Sequence, residues 1–129
     1  MIRELGAAAV ALATASCGTS AIGAATNVAN TAHSALSAAA QVLPAECVDT
    51  YRAAKTEARI AELDARCLPL RDAYRAARLS HATLVAAIGA ASASGDTAEV
   101  VARAQDLAFA VQRLGRVLAA IGAAAERQP

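Results

Sequence analysis

The chain has 129 residues, the length of one domain or of one domain plus a targeting segment. Alanine supplies 40 of them and the aromatics are only Tyr51, Tyr74 and Phe109, which argues against sheet and for helices packed through small side chains. A net charge of +1 lacks the basic footprint that nucleic acid requires, and so apolar and nearly neutral a composition is not that of a disordered chain.

Charge is unevenly spread. After Arg3 and Glu4 none appears until Glu46, whereas residues 46–78 carry 13 of the 23 charged side chains. The start reads as a short n-region followed by an eleven-residue apolar stretch, Leu5 to Ala15. That stretch is too short for a bilayer, which needs roughly 20 residues, and it suits the hydrophobic region of a signal peptide. The tetrad Thr14-Ala15-Ser16-Cys17 resembles the lipobox of bacterial lipoprotein precursors. The resemblance covers residues 1–17 and carries no fold. It implies that residues 1–16 are a signal peptide and that Cys17 is the lipid-attachment residue, bearing palmitate-like acyl chains. Residues 17–129 would then form an alanine-rich helical domain held at the cell envelope, facing the periplasm or the exterior. Two other readings stay open. Ala13-Thr14-Ala15 also fits an ordinary cleavage site that releases a soluble product. Alternatively the segment is never removed and forms a first helix from near Leu5.

Beyond Cys17 the apolar residues fall into three series whose steps alternate three and four. The first is Ile22, Ala25, Ala29, Ala32, Leu36, Ala39 and Leu43. The second runs Ile60, Leu63, Cys67, Leu70, Tyr74, Ala77, His81, Leu84, Ile88 and Ala91. The third is Val100, Ala104, Leu107, Val111, Leu114, Leu118, Ile121 and Ala125. Such spacing places each series on one helix stripe, as in bundle and coiled-coil seams.

The spacing predicts an antiparallel bundle of three heptad-patterned helices, over 20–43, 46–92 and 97–126. Pro44 separates the first two, and Ser92 to Gly95 makes the second turn. Asp96-Thr97-Ala98-Glu99 has the form of a capping box at the start of the third. Pro69 falls inside the second series, where it removes a backbone hydrogen bond and clashes with the Ala65 carbonyl. A hairpin at Cys67-Leu68 would leave almost no loop. The expectation is therefore one long central helix kinked near Pro69, with the outer helices running back along its two halves in a Z. The alternative is a four-helix up-down bundle. Gly115, Ala119 and Gly122 form a small-residue face suited to a close neighbour.

Cys17, Cys47 and Cys67 are the only thiols. With Cys17 lipidated, Cys47 and Cys67 remain as a disulfide pair or as buried thiols. Residues 48–66 hold neither Gly nor Pro, and an unbroken helix between the two would separate them by about 30 Å. A disulfide needs Cα atoms within roughly 7 Å. On that reading an internal bridge conflicts with the helix. A bridge to a second antiparallel copy, a Cys17–Cys67 bridge and two free core thiols remain.

No residue pattern carries chemistry. His33 and His81 stand alone, the latter on the second seam as a core histidine, and no zinc, phosphate-loop, nucleophile-elbow or di-iron spacing occurs. No catalytic residue, metal or cofactor is therefore expected. Tyr51 and Tyr74 read as residues of the bundle edge. Residues 46–78 alternate in sign as a solvated face does, with Glu62–Arg66 one supporting pair. Arg71, Arg75 and Arg78 share a face that suits anionic headgroups or an acidic partner. The functional expectation is a non-catalytic, lipid-anchored bundle of a bacterial or phage-encoded envelope protein, acting as a tether or interaction module with a protein partner or as a homo-oligomer. The alternative is an uncleaved helical subunit of a cytoplasmic or virion assembly.

Overall fold

The computed structural model describes residues 21–126, so the expected signal peptide and Cys17 lie outside the described residues. Within that range the chain is all-α. Helix α1 covers Ala21–Pro44 and is prolonged by a π-helical turn, Ala45–Asp49, and by one short helix, α2, Thr50–Ala53. Helix α3 covers Glu57–Ser94 and α4 covers Ala98–Glu126. Each of α1, α3 and α4 packs against the other two, around a single apolar core.

The core divides its labour by side-chain size. Helices α3 and α4 supply Leu63, Leu70, Leu84, Val100, Leu107, Val111 and Leu114, none more than 1% exposed. Each such leucine contributes about 1.5–3 kcal/mol when fully buried. Helix α1 supplies mainly Ala25, Ala29, Ala32, Ala35 and Ala39, with Val28 and Leu36. Most residues of the three apolar series are buried. Ile22, Leu43, Tyr74, His81, Ile88 and Leu118 are half-buried, and Ile60 is exposed. The side chain of Ala125 lies outside the described ones. Of the small-residue face, Gly115 is buried while Ala119 and Gly122 are exposed, and a Cβ at Gly122 would meet nothing within 4 Å.

Three expectations about the chain path are corrected. Pro44 does not end the first helix; its backbone stays helical at φ −62, ψ −46, and the π-helical turn follows at once. A wider turn accommodates the hydrogen bond that a proline cannot donate. The break falls instead at Ala54–Thr56, inside the expected central helix 46–92. Ala54 is extended at φ −72, ψ 125 and donates its N–H to the Tyr51 carbonyl at 3.2 Å. Thr56, at φ −128, ψ 151, accepts the Arg59 N–H on its side chain at 3.2 Å and so caps α3. Helix α3 then runs through Pro69, so the expected alternative of a hairpin there does not occur. The Z-shaped path is corrected as well, because α1 and α4 pack on each other.

The second turn follows its local chemistry. Gly95 takes the left-handed conformation, φ 79, and its N–H closes on the Ala91 carbonyl at 2.7 Å. Only a residue without Cβ adopts that conformation at no steric cost. Asp96 accepts the Ala98 N–H at 3.1 Å. Glu99, expected to complete the box, turns outward to Arg103 at 3.1 Å, and Arg103 also reaches Asp106 at 3.0 Å.

Candidate anion-binding groove

The turn at Ala54–Thr56 brings the start of α3 back beside the end of α1, and this places Cys47 against Cys67. The two sulfurs are bonded, with Cα atoms 5.7 Å apart. The expectation that helix geometry forbids an internal bridge is overturned, because residues 48–66 are two helical segments and not one. Since Cys67 is joined to Cys47 of its own chain, neither a second copy nor Cys17 is its partner. Both cysteines are buried.

Beside the disulfide lies a cavity of about 600 Å³. Leu43, Cys47, Val48, Tyr51 and Tyr74 line it. Four arginines border it: Arg52 from α2, and Arg71, Arg75 and Arg78 from α3. The three on α3 follow the spacing seen in the sequence, one stripe of a helix. Arg52 was not foreseen; it stands 19 positions before Arg71, and only the reversal at Ala54–Thr56 brings it to the same cavity.

Asp64 is the single carboxylate on this lining. The Tyr51 hydroxyl donates a hydrogen bond to its Oδ1. That bond, together with burial and the Asp64 charge, raises the Tyr51 hydroxyl above its ordinary pKa of 10.0, against the opposing pull of Arg71. Tyr51 is thus more than an edge residue: it couples α2 to α3 and engages the acid that would otherwise be open to the arginines. Among the described residues, ion pairs join Arg59 to Glu62 and Arg103 to Glu99 and Asp106, and none involves an arginine of this cavity.

A smaller cavity of about 450 Å³ lies along the α1–α3 seam and shares Tyr74 and Arg78 with the first. The Arg78 guanidinium sits 5.7 Å from the centre of the Tyr74 ring, a cation–π distance. His33 and His81 both line this second cavity, their ring centres 6.5 Å apart. His81 is half-buried and meets His33 across the seam, rather than lying within the core as expected. Among the described residues no group of three or more His, Cys, Asp or Glu is placed to hold a metal ion.

Among the described residues, the first cavity is thus lined by four guanidinium groups, by apolar Leu43 and Val48, by Tyr51 and Tyr74, and by one carboxylate that Tyr51 engages. Guanidinium groups offer paired N–H donors that match carboxylate and phosphate oxygens. No protein-family model, curated protein or solved structure matches this chain.

Proposed function

We propose that this protein is a non-catalytic helical module of a bacterial or phage-encoded cell envelope, anchored by acyl chains on Cys17 and working as a tether or interaction surface. The observation that carries the reading is the Cys47–Cys67 disulfide. Disulfides persist in oxidising compartments and are rare in the cytosol. A chain with a signal-peptide-like start and an internal bridge is thus consistent with export. Among the described residues no helix is long and apolar enough to cross a membrane, so in this reading attachment falls to the lipid.

The domain itself is an antiparallel three-helix bundle, with heptad seams and with α3 bent at Pro69. The three-residue turns at 54–56 and 95–97 and the mutual packing of the helices support it. Leu79 and Phe109, 71% and 72% exposed, provide apolar contacts for a protein partner or a second copy.

The test is the intact mass of the protein isolated from a bacterial envelope, paired with fractionation of Cys17→Ser. A mass for residues 17–129 plus acyl groups, with the variant moving to the soluble fraction, is the expected result. A mass for residues 1–129 would overturn the anchor and favour an uncleaved subunit of a cytoplasmic or virion assembly.

A further inference from the structure

We infer that the groove beside the disulfide is a binding site for a phosphate ester carrying a small apolar group. The inference stands on the groove alone and does not require the lipid anchor. Its first support is charge. Arg52, Arg71, Arg75 and Arg78 line one cavity, and the one acidic residue among the described residues lining it, Asp64, accepts a hydrogen bond from Tyr51. A solvated helix face of mixed charge would instead pair its arginines with carboxylates, as Arg59 and Arg103 do elsewhere on this molecule. The second is reach. Arg71 to Arg78 spans about 10 Å along the helix, so several guanidinium forks can converge on one phosphate and its ester oxygens. The third is shape. The cavity holds about 600 Å³, within the roughly 300–1,000 Å³ of small-molecule sites. Leu43, Val48 and Tyr74 give its lining an apolar part, and the one carboxylate among the described lining residues, Asp64, is engaged by Tyr51. The ligand chemistry that satisfies all three is an anionic head joined to an apolar body.

A membrane phospholipid headgroup and a soluble phosphate monoester share this chemistry, and the experiment separates them. The full-length protein, disulfide intact, is titrated by calorimetry with hexyl phosphate, with inorganic phosphate and with hexyltrimethylammonium. The same protein is then sedimented with vesicles of phosphatidylglycerol and of phosphatidylcholine. Hexyl phosphate is expected to saturate one site, at least about tenfold tighter than inorganic phosphate, with no binding of the cation. Arg71→Gln/Arg75→Gln is expected to weaken hexyl phosphate by at least about tenfold, while Arg113→Gln/Arg116→Gln, which removes the same charge from α4, leaves it unchanged. Because all four arginines are exposed, both variants keep the fold. Arg75→Lys retains the charge but loses the fork, so an intermediate affinity is expected. Excess sedimentation with phosphatidylglycerol that the groove variant loses and hexyl phosphate competes assigns the site to a lipid headgroup; hexyl phosphate binding without it assigns a soluble ester. Absence of saturable hexyl phosphate binding overturns the inference. So does an equal loss in the two double variants, which would mean diffuse attraction to positive charge.

Discussion

Helices α1 and α4 both pack against α3, but they are held by different means. Helix α4 brings Val100, Leu107, Val111 and Leu114, and is joined to α3 through a glycine in the conformation that glycine favours. Helix α1 brings mostly alanine, and its turn contains neither Gly nor Pro; a disulfide closes that end. Burying a CH₂-sized group contributes about 0.8 kcal/mol against about 1.5–3 kcal/mol for a leucine side chain. A face of alanines allows close approach but yields little burial, and the covalent bond offsets the deficit. Cavities open on both sides: those along α1 are lined by arginines, tyrosines and histidines, and one of about 540 Å³ lies between α3 and α4 beside Pro69, Val117 and Ile121.

The comparison can be broken from either side. Leu114→Asp puts an unpaired carboxylate in the core between α3 and α4, and should cost more than about 4 kcal/mol and abolish a cooperative thermal melt. An unaltered melt would show that the leucines of α4 are not what holds the core. Reduction of the disulfide, or Cys47→Ala/Cys67→Ala, should cost about 3 kcal/mol by freeing a loop of some twenty residues in the unfolded chain. Urea midpoints with and without reductant measure it. Hydrogen exchange should then rise first in α2 and the adjoining end of α1, with α4 still protected; uniform acceleration would deny that the two helices differ.

The turns sharpen the contrast on a smaller scale. Gly95→Ala should cost about 1 kcal/mol, because its φ of 79 strains any residue with a Cβ even though the space around it is open. Thr56→Ala should cost about as much, roughly 1 kcal/mol, by removing the cap on the Arg59 N–H. Paired denaturation curves decide whether both turns depend on their local chemistry. The smallest effect is electrostatic. Tyr51 has a folded pKa raised above 10.0, so its contribution is complete below pH 10 and is lost as pH rises through the folded value. In Tyr74→Phe, absorbance at 295 nm should report a Tyr51 midpoint above 10.0, and Asp64→Asn should lower it. A midpoint indifferent to Asp64 would break the Tyr51–Asp64 link.

The groove was half legible in the residues. Arg71, Arg75 and Arg78 share a stripe because four- and three-residue steps do so on any helix. Arg52, Tyr51 and Leu43 lie far from them in sequence and across a turn, and no spacing rule connects residues on opposite arms of an unforeseen hairpin. The signal that marks the hairpin is present but weak: Thr56, a capping residue, followed by Glu57 in the first turn of α3. A cap contributes only about 1 kcal/mol, and the stretch from Val48 to Arg66 holds neither Gly nor Pro to break a helix.

What the sequence by itself determined is the all-α class, the three apolar series and the turn at Gly95 and Asp96. Each is a local property, set by side-chain period, alanine content and one left-handed residue. What only the tertiary structure decided is where α3 begins, which cysteine meets Cys67, and that four arginines border one cavity. Those depend on contacts between residues distant in the chain. A cap contributing about 1 kcal/mol does not by itself choose between one long helix and two; the contacts that only the reversal forms, among them the Cys47–Cys67 bond and Tyr51 with Asp64, favour the second.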